Sequence, residues 1–206
     1  MNNLSSIIIA LFCIVCASCH TFTFSNGKKY RQAFPTKDKS SLSTLDTSLF
    51  TWQQFQLSHY TEKQGKLNNK RIITPLYGSD LKKLPAKGKY YIYFWNPTCV
   101  AGTVHMKILD SLSKQGENVI ILSLRNEYEL LNRKLSRTSF AQYPICIISG
   151  ERSSNILLQR QVNFVKEGCS YCYEQYKDDL IFAQYLVVEN DSVKVVFDTS
   201  AESILR

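Results

Sequence analysis

Apolar positions along the chain follow two regimes that change at about Arg71. Downstream, short apolar runs alternate with stretches whose apolar residues recur every three or four positions, the periods of buried strands and amphipathic helices. Ile72 to Tyr77 reads as a strand, and Gly78-Ser79-Asp80 as a turn in which Ser79 or Asp80 can cap a short segment from Leu81 to Leu84. Tyr90 to Trp95 is almost continuously apolar and aromatic, which predicts a strand covered on both faces. Val104, Ile108 and Leu112, with Met106, Leu109 and Ser113 on a flanking stripe, predict a helix that Gly116 ends. Val119 to Leu124 predicts another buried strand, Glu127 to Leu135 an amphipathic helix, and Tyr143 to Ser149 a further strand. Phe182 to Glu189 and Val193 to Phe197 flank Asn190-Asp191-Ser192, the signature of an antiparallel hairpin. Strand, helix, strand, helix implies parallel strands joined by right-handed crossovers. Residues 150–179 carry no assigned element, and Ser200 to Arg206 can start a short terminal helix.

Upstream of Arg71 the pattern fades. His20 to about Asn69 is rich in Ser, Thr, Lys and Gln, without a sustained period, and its first part reads as a tether. Near its end, Leu49 to Phe55 is aromatic enough to add an edge strand or a short helix, and the pattern does not choose. The first eighteen residues carry no charge, and Ile7 to Ala17 is an apolar run of eleven, the length of a signal-peptide core and too short to span a bilayer. Cys16-Ala17-Ser18-Cys19 resembles the bacterial lipobox, which implies acylation of Cys19 and anchoring in a membrane of the cell envelope, facing the periplasm or the cell surface. A plain cleaved signal and an uncleaved apolar helix are the alternatives. The organisation expected is a signal peptide over 1–18, a tether and irregular region over 19–69, and an α/β domain over 70–206 with an insertion at about 150–180.

Charge narrows the partners. The formal +8 belongs to the residues after the leader, but Lys and Arg are scattered from Lys28 to Arg206 without a run of four, so no nucleic-acid interface is expected. Of seven cysteines, Cys13 and Cys16 would leave with the leader and Cys19 would carry lipid. Cys99, Cys146, Cys169 and Cys172 remain, and outside the cytoplasm thiols invite disulfide chemistry more than zinc binding.

Cys99 follows a buried strand and opens a helix, where unpaired backbone N–H groups and the helix dipole stabilise a thiolate. Phe94-Trp95-Asn96-Pro97-Thr98-Cys99 resembles the Phe-Trp-x-x-x-Cys turn of the thioredoxin superfamily, in particular its membrane-tethered TlpA-type and redoxin members. The resemblance runs from about Ile72 to Phe197 and includes the terminal hairpin. It implies a central mixed sheet flanked by helices, thiol–disulfide chemistry at Cys99, a substrate groove at Trp95, Pro97 and Thr98, and protein thiols or disulfides as partners, with no cofactor or metal.

The chain departs from that family at three places. Gly102 stands where the second cysteine of Cys-x-x-Cys belongs, so a mixed disulfide at Cys99 has no neighbouring thiol to release it. Tyr93 stands where a buried acid is common. The family's cis-proline falls at Pro144, 45 residues after Cys99, when placed by distance, and near Ala183 when placed from the final hairpin. Cys169-Ser170-Tyr171-Cys172 is a true Cys-x-x-Cys with only 34 residues after it, too few for a second redox fold, and it reads as a structural disulfide, a resolving pair for Cys99, or half of a metal site. Cys146 reads as an inert core residue. His105 lies six residues past Cys99, about 240° round a helix and off the thiol's face. With His59 and His20 outside the patterned region, neither a metal triad nor a Cys-His pair assembles. Two functions follow: a monothiol thiol–disulfide oxidoreductase acting through Cys99, or a degenerate redox fold that holds a peptide partner without turnover.

Overall fold

The computed structural model describes residues 47–56, 66–98, 102–136, 143–148 and 157–197, apart from the side chains of residues 102–104 and 106. The residues expected to form a signal peptide, the first part of the expected tether, the expected terminal helix, Cys19 and Cys99 lie outside the described residues.

The runs richest in β-branched and aromatic residues occupy the middle of one mixed sheet of eight strands. In chain order these are β1 (Phe50–Trp52), β2 (Lys66–Leu67), β3 (Lys70–Leu76), β4 (Lys89–Trp95), β5 (Asn118–Ser123), β6 (Ile145–Ile148), β7 (Tyr185–Glu189) and β8 (Ser192–Val196). Their spatial order is β1-β3-β6-β5-β4-β7-β8, with β2 paired antiparallel to β3. The pairings from β1 through β4 are parallel, and β7 and β8 add an antiparallel hairpin. The helices are α1 (Gly102–Lys114), α2 (Tyr128–Leu135), α3 (Leu157–Gly168) and α4 (Ser170–Tyr176), with 3-10 turns at Gly78–Lys83 and Leu180–Phe182.

Because side chains alternate across a strand, β4 feeds two cores. Tyr91, Tyr93 and Trp95 point to one face, where they meet Leu109 and Leu112 of α1 and Leu131 and Leu135 of α2. Tyr90, Ile92 and Phe94 point to the other, under Leu81, Phe164 and Val165 of α3, and Cys172 of α4. The result is an α/β architecture with a mixed sheet between helical layers, and no helix among the described residues is long and apolar enough to cross a membrane.

Several elements refine the pattern-based expectations. The ambiguous aromatic segment contributes a strand: β1 lies parallel to β3 at the sheet edge, so the sheet draws strands from both sides of residue 70. Asn68 and Asn69, both with positive φ (50° and 63°), turn β2 into β3, a two-residue hairpin that the polar composition conceals. Asn190 and Asp191 repeat that geometry between β7 and β8, with φ of 49° and 58°. In the turn after β3, Asp80 reaches back to accept the Tyr77 N–H (2.9 Å), so it supports the start of the 3-10 segment from inside rather than as its cap. The buried stripe of α1 runs through His105, Leu109 and Leu112, with Ile108 half-buried. The buried stripe therefore includes Leu109, which the pattern puts on the flank, and a histidine, which the pattern of apolar residues does not register. The unassigned stretch holds α3 and α4, whose period is masked by the buried polar residues Arg160 and Gln161.

Candidate functional site

Strand β4 ends at Trp95, 2% exposed, and delivers the chain into the turn that precedes α1. Asn96 organises that turn. Its Oδ1 accepts from the backbone N–H of Thr98 (3.2 Å) and from Thr98 Oγ1 (2.8 Å), an Asx turn closed twice. Pro97 is buried and Thr98 exposed. Of the three residues expected to line a groove, Thr98 alone is open to solvent, while Trp95 and Pro97 support the turn from within. Cys99 and its two successors complete the connection in sequence and lie outside the described residues.

Beneath the turn sits a buried aromatic group that no single motif announces. His105, 5% exposed on the first turns of α1, stacks on Tyr93 of β4, with ring centroids 5.3 Å apart. Its Nδ1 stands 2.8 Å from the hydroxyl of Tyr185 on β7, and Tyr185 also meets Tyr93 at 5.2 Å between centroids. One of Nδ1 and the hydroxyl donates and the other accepts, according to the imidazole tautomer. Burial pushes the Tyr185 phenol well above its ordinary value, so it stays protonated through the neutral range. Tyr93, at the position where an acid is common in the resembling family, thus brings an aromatic face to an imidazole instead of a carboxylate.

The antiparallel neighbour flanks the end of β4. Phe94 N–H donates to Gln184 O (3.0 Å), and Gln184 N–H donates to Val196 O (2.9 Å), which seats the residues before β7 beside the end of β4. Gln161 of α3, buried, holds that segment from the opposite face: its Nε2 donates to Leu180 O (2.6 Å) and to Ala183 O (2.8 Å). Of the two positions considered for the family's proline, Ala183 is the one that adjoins β4. Pro144 leads into β6, which β5 separates from β4, and no cis peptide bond occurs among the described residues, the Tyr143–Pro144 bond included.

The other cysteines are distributed across the sheet. Cys146, fully buried in β6, sits between Thr74 of β3 and Leu122 of β5 in the core opposite the Trp95 side chain. Cys169 and Cys172 are joined, Sγ–Sγ 2.08 Å and Cα–Cα 5.2 Å, at the junction of α3 and α4. They pack on the Phe94 face, while Trp95 packs on the other. The Cys172 sulfur lies level with the start of β4, beside Val193 O, whereas Asn96 to Thr98 follow the end of that strand. Among the described residues no three His, Cys, Asp or Glu side chains converge as metal ligands.

His105, off the thiol's face by helical angle, is buried within this group, and neither Tyr185 nor Gln161 belongs to a sequence motif. The spacing His105-Leu109-Leu112 was the available signal for a buried imidazole. The contact to Tyr185, eighty residues away, had no local signal. No protein-family model, curated protein or solved structure matches the chain.

Proposed function

We propose that this chain is a thioredoxin-like thiol–disulfide oxidoreductase of the cell envelope, tethered through Cys19 and acting through Cys99 alone. The observation that supports it is the layout around the turn: a buried parallel strand ending in Trp95, an Asn96-closed turn, a thirteen-residue helix, and an antiparallel strand whose leading residues flank the turn. Cys99 stands in sequence three residues before Gly102, where α1 opens. The unpaired N–H groups of that helix lower a nearby thiol pKa below its ordinary value of about 8.5.

The chemistry needs one thiol here and one elsewhere. The Cys99 thiolate attacks a substrate disulfide, a Cys99–substrate disulfide forms, and the second substrate sulfur leaves as a thiolate. A thiol from another protein or a small molecule then attacks the mixed disulfide and releases Cys99. This reading calls for an external thiol because position 102 is glycine and the Cys172 sulfur sits beside Val193 O, level with the start of β4 and not with its end at Trp95.

Site-resolved alkylation of the full chain against pH tests this reading. The peptide bearing Cys99 should show an apparent pKa at least about one unit below 8.5, and Cys99→Ser should abolish reduction of a test disulfide by a thiol donor in a Cys169→Ala background. An unshifted thiol, together with a Cys99→Ser variant that keeps its cellular phenotype, leaves the peptide-binding module as the function.

A further inference from the structure

We propose that Cys169 and Cys172 form a second thiol–disulfide exchange centre that works independently of Cys99 and takes organic disulfides from solvent. This goes beyond the reading of Cys99 and does not require it.

Location separates the two centres. The Cys172 sulfur lies 3.4 Å from the carbonyl oxygen of Val193 on β8. Val193 pairs with Val188, and Val188 with Tyr90, so this contact is level with the start of β4, whereas the turn leaves from Trp95 at its end. The intervening rise along β4 is about 16 Å, and the sheet itself stands between the Cys172 core and the Trp95 core.

Accessibility divides the labour within the pair. Cys172 is 1% exposed, packed in the core with Val165 and Leu180. Cys169 is half-buried and borders the exposed Ser170 and Tyr171, the latter 68% exposed. Of the two, Cys169 is the residue with exposed surface, which assigns it the encounter with a nucleophile or disulfide from solvent and leaves Cys172 as the resolving thiol. The backbone N–H of Cys172 also donates to Cys169 Sγ (3.1 Å), a hydrogen bond that strengthens when this sulfur carries a negative charge. The same two residues make a poor staple. Separated by three positions, they close almost the shortest possible loop, and loop-closure stabilisation grows with loop length.

The exchange balances without a further oxidant. In the reduced pair the Cys169 thiolate attacks a substrate disulfide, forms a Cys169–substrate disulfide and expels one substrate thiolate. The Cys172 thiolate then attacks the Cys169 sulfur and expels the second. Two electrons pass to the substrate, the two protons of the former thiols end on the released thiols, and the Cys169–Cys172 bond is restored. A donor thiol runs the sequence in reverse.

The test equilibrates the full chain in glutathione buffers of graded reduced-to-oxidised ratio, followed by acid quenching, alkylation and mass analysis of the peptide carrying both residues. The expected result is a reversible gain of two alkylated thiols with far-ultraviolet circular dichroism unchanged. Cys172→Ser should accumulate a glutathione adduct at Cys169, and Cys169→Ser should accumulate none at Cys172. Cys99→Ser should leave the midpoint where it is, which separates this proposal from the one for Cys99. Oxidation of the reduced pair by insulin as well as by oxidised glutathione would extend the substrate class to polypeptide disulfides; oxidation by glutathione alone would confine it to small disulfides. A pair that stays oxidised until the chain unfolds, that neither disulfide reoxidises, or that loses its reactivity with Cys99→Ser overturns the proposal.

Discussion

At the residue scale, a hydrogen bond between two buried side chains joins elements far apart in the chain. His105 and Tyr185 come from α1 and β7, and their contact ties the helix after the turn to the strand that flanks it. Tyr185→Phe keeps the ring stacked near Tyr93 and removes the hydroxyl. The loss should cost about 1–2 kcal/mol of unfolding free energy in chemical denaturation, because a polar group is left with one partner fewer in a buried site. The pH dependence has a definite sign. Burial raises the folded-state pKa of Tyr185, so above the ordinary phenol value of about 10 the unfolded chain releases a proton that the folded chain keeps. Stability contributed by this group is intact below that pH and declines above it. Denaturation midpoints measured from pH 8 to 11 should fall less steeply in Tyr185→Phe than in the parent; an equal slope would show that this phenol is not responsible. The sequence marked Tyr93 as a departure from an expected acid but could not say what the tyrosine faces, because its neighbours lie 12 and 92 residues further along the chain.

Close backbone approach governs the element scale on the face opposite the turn. A β-carbon placed on Gly78 would stand 2.2 Å from Phe164 O and 2.7 Å from Gly168 N, and one on Gly168 would stand 2.8 Å from Gly78 O. The 3-10 segment and the end of α3 therefore touch backbone to backbone, and at Gly78 the two nearest atoms are a carbonyl oxygen and an amide nitrogen, which no side-chain movement relieves. Gly78→Ala should destabilise the fold by at least about 1–3 kcal/mol, seen as a lowered thermal midpoint. An unchanged midpoint would mean that the two elements separate without cost. Legibility at this scale depended on how uniform the buried stripe is. β4 and β5, apolar at nearly every position, were readable, and the Asn-Asp hairpin between β7 and β8 announced itself through its turn residues. α3 was not readable, although Leu157, Gln161, Val165 and Gly168 fall on one helical stripe, because Gln161 spends a core position on the carbonyls of Leu180 and Ala183. A polar side chain buried to hold a loop looks, in sequence, like an exposed one.

At the scale of the whole molecule, the order of the strands distributes stability unevenly. β6 enters between β3 and β5, so a strand near residue 72 finds its partner more than seventy residues later, and no periodicity within either strand encodes that pairing. The pattern could therefore give the strands and the parallel sense of β4 and β5, but not the sequence in which they lie. β4, β5 and β6 have neighbours on both sides and apolar cover on both faces. β1 has neither advantage: it is three residues long, borders only β3 among the described strands, and ends in Trp52, 56% exposed. The other edge is better protected, since Cys172 and Tyr176 of α4 lie against Val193 and Phe197. Native-state hydrogen exchange should register this asymmetry. The Gln53 N–H, bonded to Ile73 O, and the Arg71 N–H, bonded to Leu49 O, should exchange at least about a hundredfold faster than the amides of Ile92 and Ile121, through a local opening that releases β1 and spares the central strands. Uniform protection across these positions would mean that β1 unfolds only with the whole sheet, and that the edge strand belongs to the same cooperative unit as the strand that presents the turn.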